Sequence, residues 1–189
     1  MLSFQTRIGL AVALSAVCVV ACTRTSPQPP TAAAGTHSSP FFVKTTIREI
    51  MDAQVDPAAD ALWESVAFYS TLEGPEEHQP RTVEEWQAIR RDAIRLLEST
   101  NLIMMEGRQI APPDIRLEPG ELSPAVLQRK LDASREEFIG FAQALRALSL
   151  KALDAIDAKD PQRLFEVGGE MDEVCEACHL VYWYPPDDR

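Results

Sequence analysis

Residues 123–152 read SPAVLQRKLDASREEFIGFAQALRALSLKA. Apolar side chains return in this stretch at alternating three- and four-residue steps, which is the spacing of a narrow helical stripe. Ser123 suits a helix cap and Pro124 suits the first helical position. The sequence therefore predicts one long amphipathic helix that begins at Pro124. Its stripe consists of Leu127, Leu131, Ser134, Phe138, Phe141, Leu145, Leu148 and Ala152.

The same pattern continues towards the C-terminus. Asp160-Pro161 repeats the start signal of a capping residue followed by proline, and Pro185-Pro186 ends the pattern. We therefore predict a final amphipathic helix between these two signals. Its apolar positions are Leu164, Val167, Met171, Val174, Cys175, Cys178 and Tyr182.

Two further helices are predicted on the N-terminal side. Thr82-Val83-Glu84-Glu85 has the spacing of a capping box and opens a helix that runs to about Met105. Residues 74–80 are predicted to be a loop, and residues 43–69 to be one kinked helix or two helices. In the second case Asp56 caps a new helix with Pro57 in its first turn.

Four amphipathic helices with short connections and no strand pattern predict an all-α fold. An antiparallel four-helix bundle buries four apolar stripes against one another, and it is the architecture that we expect. The high proportion of Ala, Leu and Glu agrees with helical structure.

The first 40 residues are predicted to lie outside this domain. Ile8 to Ala21 form an apolar run of 14 residues, which suits the core of a signal peptide. The run ends Val19-Val20-Ala21-Cys22 and looks like a lipoprotein signal, cleaved before a lipidated Cys22. A plain signal peptide and an N-terminal membrane anchor are the alternatives. The predicted domains are therefore 1–21 (signal peptide), 22–40 (flexible linker, rich in Ser, Thr and Pro) and 41–189.

The net charge of −11 excludes an electrostatic footprint for nucleic acid. We expect the chain to meet a membrane only through the lipid on Cys22. An acidic surface could also meet a basic redox partner, although acidic residues commonly serve only to solvate helix surfaces.

Cys175-Glu176-Ala177-Cys178-His179 is the segment that carries chemistry. Two thiols one helical turn apart can both bond to one haem, and the adjacent His179 can bind the iron; C-x-x-C-H is typical of c-type haem attachment. A thioredoxin-like site would follow a strand, and structural zinc needs four ligands. His37 and His78, the other histidines, lie in predicted linker and loop segments. The predicted cofactor is one covalent haem c.

A helical bundle with this motif in its last helix resembles the cytochrome c prime family over roughly residues 41–184. The resemblance implies His179 as proximal iron ligand and places Met51, on the first helix, at the distal position. Core packing is an equal explanation for Met51, and Met104 and Met105 are weaker candidates. Family members usually carry a basic residue where this chain has Trp183. Arg48 is a weaker candidate for contact with a haem propionate.

The resemblance implies a periplasmic cytochrome that transfers single electrons to a redox partner protein and is not an enzyme. With the lipoprotein signal before Cys22, we expect this cytochrome to be anchored to a membrane by lipid. It also allows a homodimer. The alternative function is a five-coordinate haem protein that binds NO or CO for sensing or detoxification, and a peroxidase ranks last because the first helix offers no distal acid–base pair.

Overall fold

The computed structural model describes residues 41–184, so the predicted signal peptide, the linker and Cys22 lie outside the described residues. The described part is mostly helical, which agrees with the predicted fold class. It also contains one two-stranded antiparallel sheet. A π-helical turn, Met51–Val55, joins the first two helices. The elements are α1 (Ile47–Ile50), α2 (Asp56–Ser65), β1 (Ala67–Thr71), β2 (Gly74–His78), α3 (Val83–Ile103), α4 (Pro124–Ala133), α5 (Arg135–Asp157) and α6 (Pro161–Tyr182).

The β1–β2 hairpin contradicts the predicted loop over 74–80 and the expectation of no strands. It also takes Tyr69 out of the predicted helix, because α2 ends at Ser65. Phe68 and Tyr69 are residue types that favour strands, although they also continue the helical spacing of the preceding segment. Gly74 has a positive φ of 126°, which permits the tight reversal before β2.

The predicted long helix from Pro124 is broken at Ser134, the one polar position of its stripe. Ser134 has a φ of −133° and separates α4 from α5. Its hydroxyl donates to the carbonyl oxygen of Lys130 at 2.8 Å, and its N–H donates to the same oxygen at 3.0 Å, at the end of α4. Ser123 occupies the predicted cap position but makes no capping hydrogen bond through its side chain.

The first predicted segment continues from α1 into α2 without a break at Asp56-Pro57. Asp56 does not cap a new helix, because Val55 before it is already helical. The π-helical turn lets the Asp56 N–H reach the Met51 carbonyl, five residues back. Proline lacks an N–H and crowds the carbonyl four residues earlier, and the wider turn before Pro57 relieves that crowding.

The core lies where α5 packs against both α3 and α6, with α2 against α3 and α6. Other predicted helix starts are confirmed: Thr82 and Glu85 form a capping box, and the Asp160 side chain accepts from the Arg163 N–H at 3.0 Å. In the described range no helix has the length and apolar character needed to cross a membrane. The most deeply buried apolar side chains include Leu62, Leu96, Leu131, Phe138, Ile156, Leu164 and Met171.

Candidate functional site

The Cys-x-x-Cys-His motif lies in the last two turns of α6. Cys175 and Cys178 are one turn apart and partly buried, and both are free thiols. After Tyr182 the chain folds back, because the N–H groups of Trp183 and Tyr184 both donate to the carbonyl oxygen of His179. This backbone reversal places two aromatic side chains beside the motif.

A cavity of about 340 Å³ is lined by all three motif side chains and by Met51. Ligand-binding cavities in proteins commonly have volumes of about 300–1,000 Å³. Residues from both ends of the described chain therefore meet in one apolar space. Its other walls are formed by Asp52, Val55, Asp56, Ala59, Trp63, Ile103, Phe138, Phe141, Ala142, Leu145, Val174, Trp183 and Tyr184.

The environment of the motif favours neutral side chains. Burial raises the pKa of Cys175 to about 11 and that of Cys178 to about 12, with smaller contributions from nearby acids. Burial also lowers the pKa of His179, although Glu176 and Asp56 act in the opposite direction. A neutral imidazole and neutral thiols facing apolar walls suit a cofactor that is itself largely apolar.

Met51 begins the π-helical turn and lines this cavity and a second one of about 30 Å³. The second cavity also contains Cys178, His179 and Trp183. A π-helical turn often marks a functional site, because the extra residue changes which side chains face inward. Met51 is partly buried and packs against the core, so the packing explanation given for it above also fits its surroundings.

The other two candidate methionines do not line either of these cavities. The sulfur of Met105 lies 3.2 Å from Nη2 of Arg108. The sulfur of Met104 lies 4.0 Å from Nη2 of Arg146. His78 ends β2 at an exposed position. His37, like Cys22, lies outside the described residues.

Trp183 is held in place by two charged residues, and we call Arg48, Glu121 and Trp183 the Trp183 clamp. The Arg48 guanidinium lies 4.4 Å from the centre of the Trp183 ring, and it also pairs with Glu121 at 3.2 Å. The indole N–H of Trp183 donates to Glu121 at 2.8 Å. The Trp183 ring centre is 5.6 Å from that of His179, so the clamp forms a wall beside the imidazole.

Both charged members of the clamp are largely buried. The side chains of Arg48 and Glu121 are 17% and 8% exposed. Burial alone would raise the pKa of Glu121, but hydrogen bonds from the Glu118 backbone, from Arg48 and from Trp183 hold that pKa below its ordinary value. Among the described residues, Nε of Arg48 is the buried side-chain donor that has no hydrogen-bond partner.

Glu121 was not predicted from the sequence to be a site residue. Trp63, Phe138 and Phe141 were not predicted to line the site. Glu121 lies in the connection between α3 and α4, where no periodic pattern indicates which side chains point inward. The two phenylalanines were predicted as core, and a helical stripe does not distinguish the wall of a cavity from filled core.

In the described part of the chain, no three His, Cys, Asp or Glu side chains are grouped so as to hold a metal ion by themselves. Comparisons with protein-family models, curated proteins and solved structures found no match to this chain.

Proposed function

We propose that the chain is an exported c-type cytochrome that carries one covalent haem and transfers single electrons in the periplasm. The observation that carries the proposal is the shared apolar cavity in which Cys175, Cys178, His179 and Met51 meet. A Cys-x-x-Cys-His motif on a solvated helix would be weaker support. Here the motif faces a space that the protein's own side chains leave unfilled.

The residues around the cavity fit a haem group in three respects. The walls are mainly aliphatic and aromatic, as the faces of a porphyrin require. The two thiols lie on one helical face, where both can bond to the edge of one ring. The unpartnered Nε of Arg48 offers a buried donor beside the second cavity, which suits a carboxylate such as a haem propionate.

Each residue has a distinct role in this proposal. Cys175 and Cys178 would hold the haem through thioether bonds, and His179 and Met51 would be the ligands of its iron. Haem supplies an iron that changes between the ferric and ferrous states. Methionine–histidine ligation raises the haem potential and suits electron transfer. The Trp183 clamp places an aromatic ring beside the His179 imidazole.

The arrangement of helices supports an antiparallel four-helix bundle of the cytochrome c prime type. The four rods are α1 with α2 and their π-helical turn, then α3, then α4 with α5, and finally α6. Both α3 and α6 pack against α5, and α2 packs against α3 and α6, which are the neighbours that such a bundle needs.

A visible spectrum of the mature protein tests the cofactor and its ligands. Expressed in a host that attaches haem c, the protein should be coloured and heavier than the bare chain by one haem. When reduced, it should show a low-spin spectrum that CO changes little. Colourless protein with the mass of bare polypeptide would refute the proposal.

Replacing Met51→Ala tests the distal ligand, with Met105→Ala as the matched control. The first change should give a high-spin ferrous spectrum and rapid CO binding, whereas the control should leave both unchanged. A high-spin, CO-binding spectrum in the wild-type protein would instead support the alternative function, a five-coordinate protein that binds NO or CO.

A further inference from the structure

A second apolar surface lies outside the candidate haem cavity, where the hairpin meets α6. Phe68 is 54% exposed and meets Phe165 of α6, which is 44% exposed, edge to face with ring centres 5.1 Å apart. Leu72 at the hairpin turn is fully exposed. A groove of about 410 Å³ runs between the two elements, and we call it the hairpin groove. It is lined by Leu62, Trp63, Phe68, Phe165, Gly169 and Asp172, among others.

Two glycines of α6, Gly168 and Gly169, line the groove. The Trp63 indole lies against Gly168, and its N–H donates to the Gly168 carbonyl oxygen at 3.0 Å. A methyl group built on Gly169 would have no neighbour within 4 Å. The space above Gly169 is therefore open to an incoming side chain.

Trp63 lines both the hairpin groove and the cavity that contains the Cys-x-x-Cys-His motif. One aromatic side chain thus separates a surface groove from the candidate haem site. A partner seated in the groove would therefore contact a residue that also lines that site.

The charges around the groove indicate what kind of partner it fits. Residues 49–80 contain eight acidic residues and no Lys or Arg. Asp172 of α6 lines the groove itself, and Glu77 of β2 pairs with Phe68 of β1, so it lies on the same face of the hairpin as that groove residue. An apolar centre with an acidic rim complements a partner with an apolar centre and a basic rim. It repels anionic lipid and a second copy of the same face.

We propose that the hairpin groove is the docking site for a basic redox protein, which inserts an apolar side chain beside Trp63. This inference rests on the proposed function, because it identifies the partner of the same haem. The acidic rim speeds and orients the encounter, and the apolar groove holds the complex.

The test uses the haem-loaded protein, labelled with ¹⁵N, and a lysine-rich soluble cytochrome c of the mitochondrial type as probe. Haem content is read first from the absorbance spectrum, so failure of the proposed function and failure of the docking site are separate results. At low ionic strength the probe should shift the amide signals of residues 62–78 and 163–172. The affinity should fall steeply as salt is added.

Gly169→Leu fills the groove, and Gly140→Leu is its matched control. Both positions are exposed, helical and open around the added atoms, so both variants should fold. We expect Gly169→Leu to weaken probe binding by roughly tenfold or more, as loss of a central apolar contact does. The control should bind as the wild type does.

The rim is tested by Glu77→Gln with Asp172→Asn. The matched pair is Glu106→Gln with Asp114→Asn, which removes the same charge from two exposed positions in the connection after α3. The rim pair should weaken binding about threefold or more and the matched pair less, since rim charges act over short distances. Three results would overturn the inference: no binding by the wild type, amide shifts outside the named residues, or concentration-dependent shifts without probe, which would show that the face pairs with another copy.

Discussion

Gly168 and Gly169 are adjacent on α6 but have different surroundings. A Cβ on Gly168 would lie 3.1 Å from Cδ1 of Trp63, whereas a Cβ on Gly169 would meet nothing within 4 Å. Both residues are in the middle of the helix, where alanine is favoured over glycine by about 1 kcal/mol. The two positions therefore separate helix propensity from packing against Trp63.

We predict that Gly169→Ala raises the free energy of unfolding by about 0.5–1 kcal/mol through helix propensity alone. Gly168→Ala should gain the same propensity but lose more, because overpacking costs about 1–3 kcal/mol and disturbs the Trp63 hydrogen bond. Urea unfolding of the two variants and the near-ultraviolet circular dichroism of tryptophan check this. Equal stabilisation by both would contradict the contact with Trp63.

Replacing Glu121→Gln should lower the free energy of unfolding by about 1–3 kcal/mol at pH 7, because it leaves the buried Arg48 guanidinium without its carboxylate. Glu118→Gln is the control, since its side chain is exposed and only its backbone groups bond to Glu121. Urea titration measures both. If Glu118→Gln is destabilised as much as Glu121→Gln, the Arg48–Glu121 ion pair makes no specific contribution to stability.

The stabilisation that Glu121 provides should also depend on pH. The pKa of Glu121 is lower in the folded protein than its ordinary value. The stability that this carboxylate supplies is therefore complete above its unfolded pKa of about 4.3 and is lost as the pH falls through the lower folded pKa. The gap between wild type and Glu121→Gln should be full at pH 7 and should close in acid. A gap that is constant with pH would contradict the ion pair as its source.

At the scale of the elements, helix positions could be predicted where apolar spacing and capping residues agreed. The starts of α3 and α6 are of this kind. The break at Ser134 could not be predicted, because it depends on Lys130 and Tyr182, and the latter lies 48 positions further along the chain. The hairpin was not predicted, because Phe68 and Tyr69 favour strands but also continue the helical spacing of the preceding segment. The motif itself was visible in the sequence, but its wall at Trp183 depends on Arg48 and Glu121, which come together only in the fold.

Tyr182 holds the α4–α5 junction against α6, so Tyr182→Phe tests that junction. The Tyr182 hydroxyl is 2.7 Å from the Ser134 hydroxyl and donates to the Ser134 carbonyl oxygen at 3.0 Å. The change should cost about 0.5–1.5 kcal/mol, the usual value for one such hydrogen bond, with the ring packing retained. Tyr69→Phe at the half-exposed hairpin position should cost less. Equal unfolding midpoints for Tyr182→Phe and wild type would refute the role of the hydroxyl.

At the scale of the whole molecule, Cys22→Ser separates the three proposals for the N-terminus. A lipid-anchored protein should be in the membrane fraction as wild type and in the soluble periplasmic fraction as Cys22→Ser, since the acyl chains supply the attachment. A plain signal peptide predicts soluble protein in both cases. An N-terminal membrane anchor predicts membrane-bound protein in both. Cell fractionation with detection of the mature chain distinguishes these results.

The Trp183 clamp also has a consequence for how the chain acquires its fold. Arg48 and the tryptophan that it covers lie far apart in the chain, so the cavity stays open on that side until the segment that follows α6 docks against α1. A chain that stopped at Val181 would keep nearly all of its helical residues. It would still lack Tyr182, Trp183 and Tyr184, and with them the pocket's final wall. Any large group that must enter therefore has its widest opportunity before Trp183 and Tyr184 have docked.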